Sequence, residues 1–140
     1  MSCVLRVAGK SFDAAAFLRN SSIPGGIYRD SHRRLGRGGA DSKHPSSVSK
    51  AGFNSTVSAA GLDDLAAQIR DAVSFLTEQK AELHRLMDFG GIETACLDFG
   101  VSKRDVWAQT DTFPAELLRL LGDLGIDLTV SHYAADDSPA

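Results

Sequence analysis

Cysteine, tryptophan and proline are scarce in this chain of 140 residues, which has two, one and four of them respectively. Two cysteines cannot build the multi-bridge framework of a small secreted domain. Cys3 and Cys96 lie far apart in strand-like segments and are expected as buried free thiols of a reducing compartment. No apolar stretch approaches the ~18 residues of a membrane-spanning helix. Met1-Ser2-Cys3-Val4-Leu5-Arg6 carries an early charge and no long apolar run, so it does not read as a signal peptide, and a cytoplasmic protein without membrane contact is expected. Catalytic signatures are missing too. There is no G-x-S-x-G elbow, H-E-x-x-H pair or C-x-x-C, and Cys96 on an alternating strand reads as core rather than nucleophile.

His32, His44, His84 and His132 stand apart from one another, which gives no metal-ligand spacing and predicts no metal. Residues 36–43, Gly-Arg-Gly-Gly-Ala-Asp-Ser-Lys, fail both glycine-rich phosphate patterns: Ser42 precedes Lys43, and Asp41 stands where the third glycine of G-x-G-x-x-G belongs. No cofactor is expected, and the chain reads as non-catalytic.

What is present is an uneven charge distribution. The net charge of −3 is too small to name a partner. Between Tyr28 and Lys50, however, six basic residues (Arg29, Arg33, Arg34, Arg37, Lys43, Lys50) face two acids, a local excess of four positive charges. The remainder of the chain therefore carries seven net negative charges. An acidic body bears one basic loop.

Periodicity places the elements. Residues 2–8 end at Gly9 and read as a strand; residues 11–18 read as a short helix with Ser11 as its N-cap. Fourteen of the thirty residues from Ser21 to Lys50 are Gly, Ser or Pro, and 34–49 is expected as a mobile basic loop after a short strand at Ile27-Tyr28-Arg29. Residues 53–58 alternate as a strand. Leu62, Leu65, Ile69, Val73 and Leu76, then Leu83, Leu86 and Met87, form a helical stripe broken at Gln79-Lys80. It predicts either one kinked helix or two, over about 63–77 and 79–88. Residues 92–99 alternate again, and Ser102-Lys103-Arg104-Asp105 reads as a hairpin-like link to a further strand over 106–112. Pro114 opens a helix that ends at Gly125, a last strand follows from Ile126, and 134–140 reads as a disordered tail. The order β-α-(β)-β-α-β-β-α-β predicts one α+β domain over 1–133, a mostly antiparallel sheet with helices on one face.

Ser2 to Asp13 (SCVLRVAGKSFD), Asp63-Asp64-Leu65, Leu97-Asp98-Phe99-Gly100 and Phe113-Pro114-Ala115-Glu116-Leu117-Leu118 together resemble a family of small bacterial proteins of unknown function. Such families recur near toxin–immunity loci. The resemblance implies an inhibitory binding role, an immunity-type protein that neutralises a cognate toxin.

Two surfaces compete for that role. Asp64, Asp71 and Glu78 recur every seven residues opposite the leucines, with Glu82 four further on. Asp98, Asp105 and Asp111 cluster around the expected hairpin together with Trp107, and an aromatic within an acidic rim is the composition of a binding hot spot for a basic protein. The alternative is a nucleic-acid-associated regulatory role for Arg29, Arg33, Arg34 and Arg37, weakened by the acidic body and by the lack of interleaved aromatics. An edge strand, either Ile126–Tyr133 or residues 2–8, offers a route to a dimer.

Overall fold

A computed structural model of the chain describes residues 2–29 and 51–134. The expected loop at 34–49 and nearly all of the expected tail lie outside them. Within them β1 (Cys3–Gly9), α1 (Ala14–Arg19), β2 (Gly26–Arg29), β3 (Ala51–Ser58), α2 (Leu65–Glu78), α3 (Lys80–Met87), β4 (Thr94–Ser102), α4 (Ala115–Leu124) and β5 (Asp127–Tyr133) follow in that order. The strands form one sheet in the order β2-β3-β1-β4-β5. Every neighbouring pair is antiparallel except β4 and β5, which run parallel. A parallel pair needs a crossover, and α4 supplies it. The fold is α+β with a mostly antiparallel sheet.

Alternation along the strands divides the sheet into two faces. Cys3, Leu5 and Val7 of β1, Phe53 of β3, and Ala95, Leu97 and Phe99 of β4 share one core with Phe17 of α1, Ala72 and Leu76 of α2, Leu83 and Leu86 of α3, and Leu117, Leu121 and Leu124 of α4. All four helices therefore lie on that face. Phe17 stacks on Phe53 with ring centroids 6.1 Å apart. The opposite face carries Arg6, Asn54, Thr56, Cys96, Asp98, Thr129 and Ser131, and no helix covers it among the described residues.

Of the two alternatives for the helical stripe, two helices form, parted at Gln79, which closes α2 and opens α3. Two sequence expectations change. The N-cap of α1 is Asp13 rather than Ser11: its carboxylate accepts from the Ala16 amide at 2.9 Å. Ser11 belongs instead to the preceding turn, where the Phe12 amide donates to the Gly9 carbonyl. Residues 106–112 are not a strand. The neighbour that a hairpin there would have had is β5, which pairs parallel to β4 from Cys96↔Asp127 to Ser102↔Tyr133. The chain from 103 to 114 is a loop at the carboxyl end of that parallel pair. Residues 2–8 form the central strand, so of the two candidate edges only the last strand is one among the described residues.

Candidate functional site

The loop over residues 103–114 holds its shape through one side chain. Gln109 Oε1 accepts from the Arg104 amide at 2.9 Å, while Nε2 donates to the Ser102 carbonyl at 3.1 Å and to Asp111 Oδ2 at 3.2 Å. Arg104 also reaches Asp111 at 3.5 Å. Both ends are tied down. The Lys103 amide donates to the Tyr133 carbonyl, and Phe113 packs edge-on against Phe99 at 5.1 Å. Two large apolar side chains of this loop point outward: Val106 is 53% exposed and Trp107 is 100% exposed. A tryptophan that gives up all its burial on a braced loop is unusual, because its ring carries one of the largest apolar surfaces a residue can bury.

The start of α2 flanks this loop. Ser102 donates its amide to the Leu62 carbonyl, and fully buried Gln68 donates from Nε2 to the carbonyls of Gly61 (3.1 Å) and Gly100 (2.8 Å). Asp64 caps that helix end, accepting from the Ala67 amide at 3.1 Å. It is exposed at the same end of the molecule as Asp105 and Trp107.

The acidic residues do not form one surface. Asp64, Asp71 and Glu78 are all exposed on α2, but fourteen residues at 1.5 Å each put Glu78 roughly 20 Å from Asp64. Asp71 accepts from Ser58 Oγ at 2.6 Å. Glu82 stands beyond the break at Gln79 and pairs with Arg85 at 2.9 Å. That hydrogen bond holds the Glu82 carboxyl down at about 2. Asp98 is 9% exposed on the helix-free sheet face, gripped by Arg6 Nε at 3.1 Å and Ser131 Oγ at 2.8 Å. Asp111 is internal to the loop. The rim around Trp107 is thus mixed, with Lys103 and Arg104 beside Asp64 and Asp105. Composition alone could not separate carboxylates that cap, brace or pair from those that stand free.

Of the basic alternative, Arg29 closes β2 opposite Ala51, while Arg33, Arg34 and Arg37 lie outside the described residues. The cysteines are free. Cys3 is buried, and desolvation, aided by the nearby Asp98 and Asp71 carboxylates, pushes its thiol up to about 12. Cys96, expected to be buried, is half-exposed on the other sheet face. His132 is exposed near the end of β5. Among the described residues no three metal-ligating side chains converge. A depression of about 420 Å³ opens between Lys10, Phe12, Asp13, Ile27 and Ala51, where the one carboxylate is already used as the α1 cap.

Sequence reasoning missed Gln109, Val106 and Tyr133. Alternation places Val106 and Trp107 on a strand, whereas the Gln109 side chain, bonding as a backbone would, helps hold that segment as a loop. No helix is long and apolar enough to cross a membrane among the described residues. Comparison of the chain with protein families, curated proteins and solved structures finds no match.

Proposed function

We propose that the chain is a non-catalytic protein-binding module that engages its partner through the 103–114 loop, with Trp107 as the anchor. The observation that carries this reading is the full exposure of Trp107 on a loop fixed at both ends and braced by Gln109. A tryptophan on a braced backbone has only two side-chain torsions to fix on binding, and buried tryptophans dominate interface energies. Val106 extends the apolar contact. The mixed rim of Asp64, Asp105, Lys103 and Arg104 favours a partner with polar groups of both signs around an apolar socket, since exposed charges set orientation more than they hold the complex. An immunity-type inhibitor that occludes a toxin is compatible with this chemistry.

The test uses the products of neighbouring reading frames, measured against this chain by calorimetry. Trp107→Ala is expected to weaken the complex by about a hundredfold and to leave the thermal midpoint unchanged, because the ring touches nothing in the fold. Trp107 is the sole tryptophan, so its emission shifts to the blue as the partner covers it. Binding unaffected by Trp107→Ala, or a complex in which the emission does not move, refutes the assignment.

A further inference from the structure

Among the described residues the sheet has two edges, β2 and β5, and they differ. The β2 edge has four residues and follows Pro24-Gly25, a short and blunted strand of the kind that resists pairing. The β5 edge has seven residues, Asp-Leu-Thr-Val-Ser-His-Tyr, with no proline, lysine, glycine or bulge. Its backbone orientation is fixed by one bond: the Tyr133 carbonyl accepts from Lys103, so it points toward β4. Backbone groups alternate sides along a strand. Thr129 and Ser131 therefore also face β4, and the N–H and C=O groups of Leu128, Val130 and His132 face outward.

We infer that β5 pairs antiparallel with β5 of a second copy of this chain, about a two-fold axis at Val130, to form one continuous sheet. An axis there sets Val130 opposite Val130 and Leu128 opposite His132, so every outward N–H and C=O of those residues meets a partner. Shifting the axis to Thr129 or Ser131 leaves part of the row unpaired. The side chains agree with the same register. Thr129 falls opposite Ser131, a favourable hydroxyl pair, and Asp127 falls opposite Tyr133 rather than opposite its own copy. The axis stands perpendicular to the sheet, so the helix-covered faces of the two copies lie on the same side.

The experiment is sedimentation equilibrium from micromolar to millimolar protein. The native chain is expected to reach twice the mass of one chain. Val130→Pro removes an outward donor without breaking the ladder to β4, and Val130→Lys sets two ammonium groups face to face. Both are expected to halve the mass at concentrations where the native chain is paired, with unchanged circular dichroism. The dichroism reports whether either Val130 variant has failed to fold, and the folded one decides. A native chain that stays single to millimolar concentration, or a dimer that the folded Val130 variant leaves intact, overturns the inference.

Discussion

Gln68 is a fully buried amide whose Nε2 joins the entry of α2 to the carbonyl of Gly100 in β4. An apolar side chain of the same length keeps the volume and leaves the buried Gly100 carbonyl without its Nε2 donor, while the Gly61 carbonyl still accepts from the Asp64 amide. The desolvation of such a group, rather than the bond itself, sets the cost. Gln68→Leu is therefore expected to lower unfolding free energy by about 2 kcal/mol, read from urea midpoints, and to loosen the loop that carries Trp107. A second residue makes the fold acid-sensitive. The Glu82 carboxyl is depressed to about 2 by its hydrogen bonds to Arg85, so its contribution is full above the ordinary carboxylate value of about 4.5. It is lost as pH falls through 2. Glu82→Gln is expected to flatten the stability profile between those two values and to leave the neutral-pH slope unchanged. An unaltered acid limb in urea titrations of the variant would place the acid sensitivity elsewhere.

Elements are held by contacts that periodicity does not encode. The short helix α1 has six residues and could not persist on propensity. Arg85 of α3 fixes it: the guanidinium donates to the carbonyls of Phe17 and Asn20 at 3.3 Å and lies 4.2 Å over the Phe17 ring. Only the planar fork does both at once, so Arg85→Lys is expected to cost about 1–2 kcal/mol although the charge is kept. Proton exchange in α1 should accelerate more than exchange in α2. The strands at both ends of the chain, the leucine stripe of α2 and α3 and the Gly125 stop of α4 were legible, because each depends on spacing within its own segment. Gly125 adopts φ +76°, the left-handed cap its position requires. The loop at 103–114 was not legible. Its shape depends on Gln109 reaching back to Ser102 and on Phe113 finding Phe99, neither of which is a periodic signal. Nor was the division of the carboxylates: Asp98 meets Arg6 across 92 residues of chain. Trp107 was singled out by its residue type, while its exposure came from the loop.

At the scale of the whole molecule, the sheet's order makes a graded structure. β1 is bonded on both sides, to β3 and to β4, and its core-facing residues Cys3, Leu5 and Val7 are fully buried. Opening it breaks both ladders and the core together, so its amides should exchange only through global unfolding. Among the described residues β5 has one neighbour, β4, and its exchange should alternate along the strand. In the single-chain state the amides of Thr129, Ser131 and Tyr133 face β4 and are protected, while those of Leu128, Val130 and His132 face solvent and exchange at nearly the free rate. This pattern follows from the Lys103–Tyr133 bond and does not require a second copy. Raising the concentration then separates the possibilities. Pairing about Val130 slows the three outward amides in concert and leaves the inward three unchanged. Slowing that begins at Trp107 or along α2 instead would place the association on another surface. The measurement is hydrogen exchange by heteronuclear NMR at two protein concentrations, with Val130→Lys as the single-chain reference. Equal protection of neighbouring β5 amides in that reference would contradict the parallel pairing with β4, on which the position of the Trp107 loop depends.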